Sequence, residues 1–383
     1  MVLGQVIDIT LARAQRPSRG QWEDQRGYHE IEIDICEQVL KNNPDDYQAW
    51  NYHSYLLAST GQLHKAAKSY RKTVELNPGE PRTWCNYGVV LDKLNRFESA
   101  LACYNRALEL YPQYFKALYR RSRNFHRLGQ HQTAIEGYDR ALELRPDFYR
   151  IWYYRGLALV KTGRIDEAIR SFQNALHSQV EDASVWISLG KILMQKKRYE
   201  DALNAFTEAL KVEPANSWTW QYQACVLKKL GRLEAALESF DQAVELDALQ
   251  PQFWYQRGVI LLDLKRYHDA YDSFTNSLKQ QAYNAQGWLA LAWALQHLDE
   301  YEGAIEAYDK ALGIEPDLPF AFYNQARCYA ILGQPDWAIE HLRRAISLDP
   351  VTYFARAQGD QLLSPMANSD LLLPPVEEDD DEF

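Results

Sequence analysis

Tryptophan recurs in this chain on a 34-residue grid. Trp50, Trp84, Trp152, Trp186, Trp220, Trp254 and Trp288 fall on it, and Leu118 and Phe322 occupy the other two points. A fixed period of this length means that one small motif is repeated. Stacking of neighbours, rather than a single central core, then organises the fold. Length therefore loses its usual meaning, because 383 residues would otherwise suggest several ordinary domains.

Other columns keep the same register. Sixteen residues after each grid point stands an alanine, from Ala66 through Ala202 to Ala338, without exception. Four residues later comes a bulky side chain, aromatic from Tyr70 to Tyr308 and Leu342 at the end. Three further on is a small one, such as Ala107 or Ser277. Spacings of four and three put all three on one face of a helix. The small residues let a second helix approach, and the aromatic fills the space that remains. That second helix lies earlier in the unit, with the grid residue at position 4, a small residue at position 8 and an apolar one at position 11. Gly61, Gly129, Gly163, Gly231 and Gly333, or a polar residue, mark a turn at position 15. Pro78, Pro112, Pro146, Pro214, Pro316 and Pro350 close six units, because proline cannot continue a helix. Val180, Ala248 and Ala282 stand at that place in the others.

These columns resemble the tetratricopeptide repeat, with its Trp, Gly, Ala, aromatic, Ala and Pro positions. The resemblance implies an all-α fold, a right-handed α-solenoid (superhelix) of nine 34-residue helix-turn-helix repeats with a capping helix. The repeats are 47–80, 81–114, 115–148, 149–182, 183–216, 217–250, 251–284, 285–318 and 319–352. Residues 1–46 form an N-terminal segment with a loop at Arg16–Gly20. A degenerate half-repeat helix follows around Tyr28–Asn42 and ends at Pro44. A C-terminal capping helix is expected over 353–364 and a disordered acidic tail over 365–383. The function implied is a non-catalytic protein–protein interaction scaffold or adaptor.

No signature of chemistry interrupts this pattern. The chain has no phosphate-binding glycine loop, no dinucleotide fingerprint, no nucleophile elbow and no HExxH. Its nine histidines lack metal-ligand spacing. The expectation is a protein that is not an enzyme and has neither cofactor nor metal. Cys36, Cys85, Cys103, Cys225 and Cys328 are scattered without a CxxC pair, as expected of small buried residues in a reducing compartment. The sequence shows no secretory leader and no apolar run of about 18 residues, so a cytoplasmic protein without a membrane span is expected. The net charge is −10, but residues 370–383 hold seven acids and no base, which leaves the body near −3.

Helical geometry at about 100° per residue puts first-helix positions 2, 5, 6, 9, 12 and 13 opposite positions 4, 8 and 11. The family resemblance implies that this opposite face lines a concave groove where ligands lie. In repeats two to four it presents Arg82, Asn86, Lys93, Lys116, Arg120, Arg123, Arg127, Arg150 and Lys161 against one acid, Asp92, with Tyr119, Tyr153 and Tyr154 interleaved. In repeats six to nine it presents Trp218, Tyr222, Tyr255, Leu289, Trp293, Phe320 and Tyr323, which either meet a partner or pack between neighbouring first helices, position 5 above all. Arg121, Arg155 and Arg257 fall at position 7 and read as structural. The basic part suits acidic side chains or a C-terminal carboxylate, and the aromatic part suits apolar side chains. The family also contains a carboxylate clamp for heat-shock chaperones. Asn86, Lys116 and Arg120 match two of its three parts, but Asn51 and Tyr55 stand where Lys and Asn are required. The alternative is a single-stranded RNA-binding helical-repeat protein, with basic residues on phosphates and tyrosines stacking bases. The acidic balance argues against nucleic acid.

Overall fold

The computed structural model describes residues 25–177 and 182–367. The N-terminal loop at Arg16–Gly20, Val180 and the acidic run of the tail lie outside the described residues. Among the described residues every regular element is a helix. The chain divides into two compact units, Met1–Glu181 and Asp182–Phe383.

The first unit contains α1 (Gln25–Asn42), α2 (Tyr47–Ser59), α3 (Leu63–Leu76), α4 (Pro81–Lys93), α5 (Phe97–Leu110), α6 (Phe115–Arg127), α7 (His131–Leu144), α8 (Tyr149–Lys161) and α9 (Ile165–Leu176). The second contains α10 (Ala183–Gln195), α11 (Tyr199–Val212), α12 (Ser217–Lys229), α13 (Leu233–Leu246), α14 (Pro251–Asp263), α15 (Tyr267–Gln280), α16 (Ala285–Gln296), α17 (Tyr301–Ile314), α18 (Pro319–Ile331), α19 (Pro335–Leu348), α20 (Pro350–Gly359) and α21 (Ser364–Ala367). From α2 to α19 the helices alternate on the grid, a first helix followed by a second.

Each sequence column has a physical task. The aromatic column is the core: Tyr104, Tyr138, Phe172, Phe206, Phe274 and Tyr308 are completely buried. Burying one such side chain stabilises by about 1.5–3 kcal/mol. The space comes from position 8, where a Cβ built on Gly156 would lie 2.6 Å from the Phe172 ring. The alanine column is fully buried as well, as at Ala66, Ala134 and Ala202.

The tryptophan column fixes the joints. Indole Nε1 of Trp50, Trp84, Trp152 and Trp220 donates to the carbonyl of Pro44, Pro78, Pro146 and Pro214, at 2.8–2.9 Å. Trp254 and Trp288 make the same bond to Ala248 and Ala282 at 2.9 Å. The acceptor is a backbone oxygen, so loss of the proline leaves the joint intact. At position 15 the backbone turns left-handed throughout. Five of these residues are glycine, and Asn95, Lys197, Lys265 and Asp299 take φ of 57–62° at the others.

Position 7 carries a second joint. Arg155 donates to Asp139 of the preceding repeat at 2.6 Å and to Ser171 of its own at 2.7 Å. Arg257 repeats this with Asp241 and Ser273, each at 2.6 Å. Gln223 bridges Thr207 and Ser239, and Gln325 reaches Asp309. These arginines are therefore structural.

The two ends differ from the regular pattern. At the N-terminal end, α1 packs against α2, with Tyr52 donating to Glu32 at 2.6 Å. At the other end the capping helix α20 begins at Pro350 and ends at Gly359, earlier than the expected 353–364. The chain then turns at Asp360, which accepts from Tyr323 at 2.9 Å and pairs with Arg327 at 3.0 Å. Leu363 and Ala367 are buried against this end, so residues 365–367 belong to the folded part and not to the tail.

Candidate functional site

The N-terminal unit carries the charged surface. Lys116, Arg120, Arg123 and Arg127 recur along α6 at spacings of four, three and four, which makes one stripe on one face. Lys116 and Arg127 are exposed, and Arg120 and Arg123 are half-buried. Arg82, Asn86 and Lys93 on α4, with Arg150 and Lys161 on α8, are also exposed. Among the described residues Arg82, Lys93, Lys116, Arg120 and Lys161 enter no ion pair.

Two features hold the stripe in place. The first is aromatic support. The Arg123 guanidinium lies 5.2 Å from the Tyr154 ring centre, Arg120 lies 5.8 Å from Tyr119, and Arg127 lies 5.5 Å from Phe97. The second is Asp92, the one acid expected here. It is 5% exposed, accepts from the Tyr104 hydroxyl at 3.3 Å and lies 3.7 Å from Arg127. Burial pushes its pKa up, while Arg127, Arg123 and Arg120 pull it down. Asp92 therefore lies beneath the Arg127 end of the stripe, and its carboxylate is not displayed on the surface.

Tyr119 does not serve as expected. It is buried, with its ring 5.7 Å from Phe148 and 5.9 Å from Tyr154, so it presents no open face on which a base would stack. Position 5 of the repeat points toward the neighbouring first helix, where the gap closes. Cys85 at that position is likewise buried, and its thiol pKa is pushed up to about 11 by burial, against the pull of Arg120.

The same position corrects two residues of the aromatic set in the C-terminal unit. Leu289 and Tyr323 are buried, and Tyr323 packs 5.4 Å from Tyr353 of the cap. Both are packing residues between helices, not surface for a partner. Trp218 and Trp293 remain exposed, at 41% and 36%. Trp218 stands edge-on to Phe253 at 5.0 Å, and Trp293 stacks on Phe320 at 5.8 Å. Tyr222 and Tyr255 are half-buried over Phe206 and Phe274. Lys191 sits 4.3 Å from the Tyr222 ring centre, a contact that sequence reading did not single out although Lys191 occupies position 9.

The arrangement defines a class: a helical repeat array that displays one charged and one aromatic surface. Family comparison gives the rest. Tetratricopeptide-repeat models match residues 47–80, 81–114, 123–163, 153–217, 205–238, 223–275, 285–318 and 319–350. The chain belongs to the tetratricopeptide-repeat family, whose repeats support a protein-interaction scaffold. A model described as a protein prenyltransferase alpha subunit repeat matches residues 29–60, the stretch that holds most of α1 and all of α2. No curated protein matches the chain.

Comparison with solved structures gives one neighbour that supports the fold and others of lower similarity. The C-terminal part of a TPR repeat-containing protein from Cytophaga hutchinsonii superposes with a TM-score of 0.55 at 18% identity, covering 61% of this chain and 96% of its own. YrrB, described as a TPR protein with an unusual peptide-binding site, is 22% identical with a TM-score of 0.43, covering 52% of this chain and 99% of its own. PilF of Pseudomonas aeruginosa is 19% identical with a TM-score of 0.45, covering 56% and 98%. No helix among the described residues is long and apolar enough to cross a membrane.

Proposed function

We propose that the chain is a non-catalytic scaffold whose N-terminal unit holds an acidic segment of a partner protein. The observation that supports this most is the stripe on α6. Four cations share one helix face, and the acid beside them is buried beneath them. Surfaces without a partner usually mix signs, whereas a single-sign patch attracts and orients an opposite charge. Arg120 and Arg123 are preordered by tyrosine rings, so less rotamer freedom is lost when a carboxylate arrives. Exposed Trp218 and Trp293 in the C-terminal unit are suited to apolar side chains of a partner.

The test is the double substitution Lys116→Glu with Arg120→Glu. Both side chains lie outside the buried columns, so helix content by circular dichroism should be unchanged. Titration of an acidic peptide should show binding that weakens as salt rises and disappears in the variant. An affinity indifferent to both the substitutions and salt would remove this reading. The RNA alternative loses support because Tyr119 is enclosed. Salt-dependent binding of single-stranded RNA that exceeded peptide binding would restore it.

A further inference from the structure

A cleft of about 360 Å³ opens beside Leu118, at one of the two grid points where tryptophan is missing. Its volume falls in the range of about 300–1,000 Å³ usual for small-ligand sites. Pro112, Asn105, Glu109, Arg121 and Arg140 line it with Leu118. The other repeats show what normally occupies this place. In six of them an indole donates to the carbonyl six residues before it, and in two of these the position-7 arginine lies over that indole. Arg155 is 5.8 Å from Trp152, and Arg257 is 5.9 Å from Trp254. In the third repeat the acceptor position is Pro112 and the arginine is Arg121, but the ring is gone.

Two further lapses coincide with the first. Where Arg155 and Arg257 have an aspartate and a serine, Arg121 has Asn105 and Gly137. It keeps one neutral acceptor, Asn105 Oδ1 at 3.1 Å, and its buried Nε has no partner. Burial pushes the Arg121 pKa down, and Arg140 nearby with the same charge adds to it. Glu109 does not compensate, because it pairs with Arg106 at 2.8 Å. The repeat thus lacks the indole ring, its N–H donor and the aspartate that pairs with the position-7 arginine elsewhere, and the one acid at the cleft, Glu109, is engaged by Arg106.

We propose that this cleft binds an indole-type ring that carries a carboxylate, supplied by a partner chain or by a free aromatic acid. The ring would lie against Leu118 and Arg121, its N–H would donate to the Pro112 carbonyl, and the carboxylate would accept from Arg121 and Arg140. This site is separate from the acidic-peptide stripe. On α6, positions 118 and 121 project about 140–200° away from Lys116, the side opposite Arg120, Arg123 and Arg127.

The experiment uses the full chain and ligand-observed NMR titration with three probes: 3-indolepropionate, a short peptide ending in tryptophan, and neutral 3-methylindole. Saturable binding of one or both acids is expected, with 3-methylindole weaker by roughly tenfold or more, the loss of the charge-assisted hydrogen bonds to Arg121 and Arg140. Tighter binding of the peptide would identify a partner's C-terminus as the source, and tighter binding of 3-indolepropionate a free acid. Leu118→Trp should abolish binding of all three while raising the thermal midpoint, because it restores the ring that the other repeats contain. Arg121→Gln should weaken the acids severalfold, with Arg140 retaining part of their advantage, and leave 3-methylindole within about twofold. Lys116→Glu with Arg120→Glu should change none of these, so failure of the stripe and failure of the cleft are distinguishable. Absence of saturable binding by either acid, or binding that survives Leu118→Trp, would overturn the proposal.

Discussion

Lys265 adopts φ of +58° at a turn where five other repeats place glycine. The left-handed conformation costs a residue with a Cβ about 1–2 kcal/mol, partly offset by the greater freedom that glycine has when unfolded. Lys265→Gly should therefore stabilise the C-terminal unit by about 0.5–1 kcal/mol, read as a rise in the urea midpoint. Gly231→Ala, at φ of +74°, should lower it by about 1 kcal/mol or more. Asp92 offers a test in pH. Its folded pKa is raised by burial, so its contribution is fully present below the ordinary carboxylate value near 4 and is lost as pH rises through the folded value. Asp92→Asn keeps an acceptor for Tyr104 and removes the buried charge. The substituted protein should be more stable than the wild type at neutral pH, and the difference should vanish below about pH 4. A wild type that is the more stable at pH 7 would show that attraction from the arginines outweighs burial.

Helices in this fold are held by their neighbours, so a change inside one element should stay local. Ala202 on α11 is completely buried where that helix meets its partner. Leucine in its place overpacks the contact and should cost about 1–3 kcal/mol. Hydrogen exchange should rise first in α10 to α13 and leave distant helices of the same unit protected. On α6, His126 lies 3.2 Å from His131 on α7, and burial, His131 and Lys161 all push its pKa down. A lowered histidine pKa means that the unfolded chain binds the proton first. Stability of the N-terminal unit should therefore fall as pH drops below about 6.5. His126→Gln should flatten part of that fall, which a thermal-midpoint series from pH 8 to pH 5 would show.

At the scale of the molecule, the chain forms two compact units, Met1–Glu181 and Asp182–Phe383. A stacked array has no single cooperative core, so its units need not open together. Ala134→Leu in α7 should speed exchange within the first unit and leave α13 to α18 unchanged. Equal loss of protection in both units would mean that the array unfolds as one cooperative body. Charge is distributed at this scale too. Six of the ten excess negative charges come from the run Glu377–Glu382, so the described fold is far closer to neutral than the chain as a whole. That near-neutral balance would let the basic stripe of α6 attract the acidic partner proposed above at moderate salt.

Sequence alone determined the helical alternation, the register of the repeats and the buried columns of alanine and aromatic residues. These follow from spacing, because every helix meets partners at fixed offsets along the chain. It also marked position 7 as structural, and the bridges of Arg155 and Arg257 are those arginines' visible task. Tertiary structure decided what lies between adjacent first helices. Tyr119, Leu289 and Tyr323 occupy a face that helical geometry leaves open on an isolated helix, and only the next helix closes it. It also decided that the Asp92 carboxylate sits beneath the arginines, and that the tryptophan lapse at Leu118 leaves a cleft which its neighbours do not fill. Burial depends on side chains converging from several helices at once, and a one-dimensional period records where such residues stand but not how closely they meet.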